Sequence, residues 1–181
     1  MAAANRETRH TSMPNYRRDY SGTCWFFTVV THQRRPLMNH GPARDALRAA
    51  VIECRRRHPF EIDAWVLLPE HLHCIWTLPE ADRDYSRRWG VIKRRFTQGM
   101  AGKGGGHGPP YWQARFWAHR INDETDYARH VDYIHINPVK HGLVTRVVGW
   151  PWSTFHRYVR EGILPPDWGG GLELPSDIGN E

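Results

Sequence analysis

Phe60-Glu-Ile-Asp-Ala-Trp-Val-Leu-Leu-Pro-Glu-His-Leu-His-Cys-Ile-Trp76 holds two short apolar runs separated by a Pro-Glu break. Side chains alternate along a strand. Phe60, Ile62, Ala64, Val66 and Leu68 therefore share one side of the first run, and Glu61, Asp63, Trp65 and Leu67 the other. The second run, His71 to Trp76, is short enough to pair back on the first across Pro69-Glu70. The stretch predicts a hairpin of two strands.

The same reading extends in both directions. Upstream, Cys24-Trp-Phe-Phe-Thr-Val-Val-Thr31 is aromatic and β-branched, the composition of a buried strand. Pro42 suits the first turn of a helix that carries Ala46, Leu47, Ala50, Val51 and Cys54 on one face and stops at Pro59. Downstream, a helix is expected from Tyr85 to Met100, with Trp89, Ile92 and Phe96 inward. The run Gly102 to Pro110 forces an irregular connection and lacks the GKS or GKT end of a phosphate loop. Tyr111 to Trp117 reads as a further strand. Asn122 reads as the N-cap of a helix running to about Ile136, with Pro138 as its stop. The aromatic segment Trp150 to Tyr158 is suited to dock on the core.

Strand, helix, strand, strand, helix, strand, helix is the order of an α+β, ferredoxin-like sandwich with a central antiparallel sheet and helices on one face. It occupies residues 20–160, between a flexible segment 1–19 and an acidic, mobile tail 161–181.

A chain of 181 residues and 21.2 kDa buries roughly 70% of its extended surface, enough for one core but not for two catalytic domains. No apolar run approaches the ~20 residues that span a bilayer. Cys24, Cys54 and Cys74 form no CxxC pair, which argues against a disulfide framework and a thiolate zinc site. A cytoplasmic protein without a membrane partner is expected.

Net charge is +6, unevenly spread. Arg83, Arg87, Arg88, Lys93, Arg94, Arg95 and Lys103 stand against Asp84 alone, whereas no lysine or arginine follows Arg160. The basic stretch suits a polyanion-binding surface, and equally a solvated helix face.

Two local patterns carry chemistry. On a strand, His71 and His73 point the same way about 6.6 Å apart, so they can converge on one metal ion or can be polar residues beside a turn. On a helix, Tyr133 and Asn137 share a face, with Asp126 and His130 near it and Tyr127, Val131 and Ile134 on the neighbouring apolar stripe. Glu70 suits either a turn or an outer-sphere contact to the metal, and His130 either an exposed helix or a proton relay. Trp112, Trp150 and Trp152 suit base stacking or a lid on the core.

Leu68-Pro-Glu-His-Leu-His-Cys-Ile-Trp76, Tyr111-Trp-Gln113, Tyr133-Ile-His-Ile-Asn-Pro-Val-Lys-His-Gly-Leu-Val144 and Pro151-Trp-Ser-Thr154 occur in that order. This ordered set resembles the REP-associated tyrosine transposases, within the larger class of histidine–hydrophobic–histidine (HUH) single-strand DNA endonucleases. The resemblance implies that His71 and His73 are metal ligands, Asn137 the third, and Tyr133 the nucleophile. It also implies a ferredoxin-like fold and, as substrate, palindromic hairpin DNA with single-stranded flanks. Some relatives exchange the tyrosine helix between subunits, so monomer and homodimer both stay open, with the monomer preferred.

The chemistry is coherent on its own terms. A tyrosine hydroxyl, with an ordinary pKa near ~10, needs help to attack a phosphodiester. One divalent ion, Mg²⁺ or Mn²⁺, supplies it by offsetting charge on the phosphate. Attack by Tyr133 forms a 5′-phosphotyrosyl link, releases a 3′-hydroxyl and allows rejoining. The expected activity is a metal-dependent DNA nuclease and strand transferase. The alternatives are a catalytically inactive hairpin-binding protein descended from one, and an unrelated small metal hydrolase.

Overall fold

The computed structural model describes residues 23–101 and 110–169. The N-terminal segment, the glycine-rich connection with Lys103 and the last residues of the tail lie outside the described residues. Strands β1 (Thr23–Val30), β2 (Glu61–Leu67), β3 (His71–Leu78) and β4 (Trp117–Arg120) form one antiparallel sheet in the order β2-β3-β1-β4. Helices α1 (Gly41–Arg57), α2 (Tyr85–Ala101), α3 (Glu124–Lys140) and α4 (Phe155–Arg160) pack on it. The order is that of the expected α+β ferredoxin-like sandwich.

The helices are not confined to one face. Phe27, Val29, Leu72, Cys74 and Trp76 meet α1 and α2, whereas Cys24, Phe26, Val66 and Ile75 meet α3 and α4. The two central strands alternate between two apolar layers, so a second helical layer must cover the other side. That layer extends past position 160: Leu164 is buried, and Trp168 packs on Phe155 and His135.

The alternation expected for β2 breaks at a bulge between Ile62 and Ala64. Phe60 and Ile62 consequently face the α1–α2 layer, while Ala64, Val66 and Leu68 face α3. Asp63 is the extra residue. Its carbonyl accepts hydrogen bonds from Arg157 and from the Tyr158 hydroxyl, and its carboxylate accepts one from Thr77.

The strand expected at Tyr111 to Trp117 is displaced. Trp112 makes one bridge to Thr31, and the continuous pairing with β1 begins at Trp117. Lys93 Nζ donates to the carbonyls of Gln113 (2.7 Å) and Ala114 (3.4 Å), which takes them out of the ladder. Helix α3 also differs at both ends. Asp123, not Asn122, is its cap and accepts from Asp126 N at 2.8 Å. Pro138 lies inside the helix, where its missing N–H forgoes a single backbone bond. The stop is Gly142, at φ 66°: Gly142 N–H donates to Val139 O and Leu143 N–H to Pro138 O, the paired bonds of a Schellman motif.

Arg88, expected on a DNA-binding face, is an interior clamp with 4% exposure. It donates to Asp82 Oδ2 (2.7 Å) and to the carbonyls of Pro59 and Asp84, tying the start of α2 to the loop after α1. Arg88→Ala is expected to cost about 2 kcal/mol, because it removes the donor to the Pro59 and Asp84 carbonyls and leaves the part-exposed Asp82 carboxylate with the Asp84 N–H and water. Exposed Arg94→Ala should cost under ~0.5 kcal/mol. Denaturant unfolding of both variants checks the contrast. The Arg88 hydrogen bond holds the Asp82 carboxyl below its ordinary value. That contribution is therefore complete above pH ~4 and is lost as pH falls through the lowered folded value.

Candidate active site

β3 begins at His71, so His71 and His73 project from one face of a central strand toward α3. Their rings lie 4.8 Å apart at 79°. Helix α3 crosses the same face and carries Tyr133, whose ring meets His73 at 5.1 Å and 70°. Phe26, from the adjacent strand, stacks on His73 at 5.6 Å and meets the Tyr133 ring edge-on at 6.1 Å. Asn137 follows one helical turn after Tyr133. Tyr133, His73 and Asn137 have 0% exposure and His71 1%. His71, His73 and Tyr133 are thus drawn into a single buried cluster, and Asn137 is buried one helical turn further along α3.

Each histidine is oriented through Nδ1. His71 Nδ1 lies 2.9 Å from Glu70 Oε1, and His73 Nδ1 lies 2.9 Å from Thr28 Oγ1. A carboxylate partner requires the proton on His71 Nδ1, which leaves Nε2 as the nitrogen with a lone pair that could meet a cation. The hydrogen bond with His71 also holds the Glu70 carboxyl below its ordinary range. Glu70 is thus bound to His71 through Nδ1, the nitrogen on the far side of the ring from Nε2. Asn137 fits a cation for a different reason. Both of its amide atoms are buried with no hydrogen-bond partner among the described residues, an arrangement that costs about 1–3 kcal/mol per group. Imidazole and amide oxygen together suit a divalent ion of intermediate hardness.

Three participants had no individual signal in the sequence. Thr28 is set opposite His73 by the β1–β3 register. Lys140 donates from Nζ to Tyr133 Oη at 3.4 Å and lies 4.8 Å from the centre of its ring. The spacing of seven residues, two helical turns, would have placed it beside Tyr133 had Pro138 not been read as a stop. His141, the residue after α3, meets the His71 ring at 5.2 Å.

His130 is held elsewhere. Its Nδ1 lies 2.8 Å from Asp126 O and 2.9 Å from Asp126 Oδ1, and its ring stacks on His119 at 4.8 Å. Asp126 also accepts from Asn122 N–H and His119 Nε2, so the group closes the start of α3 onto β4. Burial lowers the His130 pKa. His135, inside the Tyr133–Asn137 motif, is likewise structural: burial pushes it down to about 3, and Nε2 pairs with Thr154 Oγ1 at 3.0 Å.

The basic residues do not act as one surface. Arg88 and Lys93 hold the fold, and burial takes the Lys93 ammonium down to about 8. Arg83 is exposed. Arg87, Arg94 and Arg95 join Arg57 and His58 around a cleft of about 510 Å³ between α1 and α2. This cleft belongs to the layer opposite Tyr133.

Likeness to known proteins places this fold among the tyrosine transposases. The chain is 52% identical over 161 residues to the REP-associated tyrosine transposase of Escherichia coli, covering 88% of this chain and 93% of that one. It is 39% identical over 177 residues to a relative from Haemophilus influenzae, covering 92% and 100%. A solved structure of a REP-associated tyrosine transposase bound to a REP hairpin superposes with a TM-score of 0.75 at 51% identity, covering 91% of this chain and 96% of that one. No protein-family model matches. The chain belongs to the REP-associated tyrosine transposase family. Among the described residues no helix is long and apolar enough to cross a membrane.

The unsatisfied amide yields a direct test. Asn137→Leu should leave the chelator-treated protein unchanged or stabilise it by about 1 kcal/mol, because a buried unpaired polar group is removed. The same change should abolish Mn²⁺ binding measured by calorimetry. A clear loss of stability would show that the amide is already satisfied.

Proposed function

We propose that this protein is a metal-dependent DNA nuclease and strand transferase that binds palindromic hairpins with single-stranded flanks and cuts them through Tyr133. The observation that carries this reading is the packing of Tyr133 against His73. Family membership and the hairpin bound by the solved relative support the substrate class.

His71, His73 and Asn137 would hold one Mg²⁺ or Mn²⁺, which supplies electrophilic polarisation of the scissile phosphate. Thr28 and Glu70 keep the two imidazoles in position. Tyr133 Oη attacks phosphorus in line, forming the Tyr–O–P bond as the P–O3′ bond breaks. The phenolic proton leaves to solvent, and the departing 3′ oxygen takes up a proton to become a hydroxyl. Lys140 Nζ, beside Oη, offsets the negative charge that develops there as the proton leaves. Reversal by a second 3′-hydroxyl rejoins strands. Because the phenol is buried, the phosphate is admitted only when a movement uncovers Oη. The contact between Tyr133 and His73 of one chain supports a site complete in a single protomer.

That same burial favours a second reading, a family member that binds hairpins without cutting them. One experiment separates the two. Protein, Mn²⁺ and a hairpin labelled 3′ of the expected cut are incubated and run on a denaturing gel. Under the first reading the wild type forms a covalent adduct that maps to Tyr133, and Tyr133→Phe abolishes adduct and cleavage while keeping hairpin affinity within about twofold. An adduct at another residue rejects the assignment, and no adduct from the wild type selects the second reading. On the binding side, replacing Arg87 and Arg94 with glutamine should weaken hairpin binding and lower the slope of log affinity against log salt by about two. Preference among flanking bases should be unaffected, since phosphate contacts position without specifying.

A further inference from the structure

Away from the Tyr133 cluster, one group of side chains is made entirely of metal-ligating types. Among the described residues, His119, Asp126 and His130 are the only three histidine, cysteine or acidic residues whose ligand atoms all lie within 4.8 Å of one another. His119 Nε2 is 2.9 Å from Asp126 Oδ2, and His130 Nδ1 is 2.9 Å from Asp126 Oδ1. One carboxylate is thus bracketed by two ring nitrogens. At metal–ligand lengths of roughly 2.0–2.2 Å, two ligands of a tetrahedral ion stand about 3.4 Å apart. The separations in this group, from 2.9 Å to at most 4.8 Å, enclose that value.

Local structure on two elements assembles the group. Asp126 and His130 are four residues apart on α3 and share one helical face. His119 comes from β4, where it pairs with Phe26, and Phe26 faces α3. Asn122 N–H donates to Asp126 Oδ2 at 3.0 Å and so fixes the carboxylate from the connecting loop. Packing fixes the rings. The two imidazoles stack at 4.8 Å and 13°, and Phe26 backs His130 at 4.7 Å. Trp112 and Trp150 are buried, whereas Trp117 and Trp152 stay partly outside the core. The Trp117 indole stacks on His119 at 5.7 Å and 5°. Side-chain exposure rises from 7% at His130 through 20% at Asp126 to 32% at His119, which leaves water access for a fourth ligand.

The proton balance permits an ion here. Two neutral imidazoles carry one proton each and can move it between their nitrogens. With the proton of His119 on Nδ1 and that of His130 on Nε2, both inner nitrogens present lone pairs and no proton is released. The Asp126 carbonyl, which His130 Nδ1 also reaches at 2.8 Å, keeps its helical N–H donor. Convergence of the lone pairs turns the stacked rings about χ2, a torsion with broad wells. Two imidazoles and one carboxylate suit a late first-row divalent ion such as Zn²⁺, not Mg²⁺, which takes oxygen ligands. No ligand is shared with the ion proposed for His71, His73 and Asn137.

We propose that His119, Asp126 and His130 form a second metal site, which takes one late first-row divalent ion and pins the start of α3, the helix of Tyr133, to the edge strand β4. The proposal does not depend on the proposed function. Its test uses the chelator-treated full chain, titrated with Zn²⁺ by calorimetry and with Co²⁺ by visible absorption. Wild type should bind one more Zn²⁺ than His119→Gln, a difference that stays the same whatever binds at His71 and His73. In His119→Gln the affinity of this site should fall more than about a hundredfold, beyond the loss that an outer-sphere partner brings. The glutamine still donates to Asp126, so the variant keeps the clasp and loses the ligand. Co²⁺ should give the absorption of a four-coordinate ion in wild type, and His119→Gln should lack it. Zn²⁺ at a hundredfold excess over Kd should raise the wild-type Tm by roughly 5 °C more than that of His119→Gln. His119→Glu gives a readout that hydrogen bonding cannot mimic. Two adjacent carboxylates should lower its metal-free Tm, and Zn²⁺ should restore it by joining them. Equal Zn²⁺ stoichiometry and equal Tm response in wild type and His119→Gln overturn the inference. A His119→Glu protein that Zn²⁺ leaves as unstable as its metal-free form overturns it as well.

Discussion

β3 runs between β2 and β1, bonded along both edges and covered on both faces, so its alternation cannot be relaxed by turning a side chain to water. Leu72, Cys74 and Trp76 are committed to the α1–α2 layer, which obliges His71 and His73 to face α3. A one-residue slip would drive two imidazoles into the apolar layer and expel Trp76 from it. Register here is therefore held by the whole core, and the remaining geometry of the site follows from it. Thr28 reaches His73 Nδ1 because the ladder sets the two residues opposite each other.

Helix α3 meets that fixed face with its own constraint. Its last turn survives a proline because only one bond is forgone and Gly142 supplies a well-bonded terminus immediately afterwards. The extra turn keeps Asn137 and Lys140 on the helix with Tyr133 and carries His141 to His71. A helix ending before Pro138 would leave Lys140 on a loop, with no defined position relative to the phenol. The buried, unsatisfied Asn137 amide is stability given up at the place where the chain is proposed to bind a cation.

Positive charge in this molecule has two uses that one-dimensional composition merges. Arg88, Lys93 and Arg157 spend their donors on carbonyls of loops, bulges and strand ends, where backbone groups lack ladder partners. Arg48, Arg94 and Arg160 remain at the surface. The remaining charge lines a cleft on one helical layer and a groove around the sheet edge, and α1 borders both.

From the sequence alone, the order of elements, the antiparallel hairpin and the shared face of His71 and His73 were already determined, because period-two alternation and helical spacing are local properties. Tyr133 and Asn137 were legible for the same reason, and the ordered motifs tied them to the histidines. What required the tertiary structure was everything set by partners distant in the chain. The bulge at Asp63 exists because Arg157 and Tyr158 claim its carbonyl, and β4 starts late because Lys93 claims the carbonyls of Gln113 and Ala114. Helices cover both faces because a central strand with two apolar sides must be covered twice. Whether an arginine clamps a loop or stays at the surface, and which tryptophan is left outside the core, depends on which polar and apolar groups the fold brings beside it. Local sequence holds no record of those neighbours.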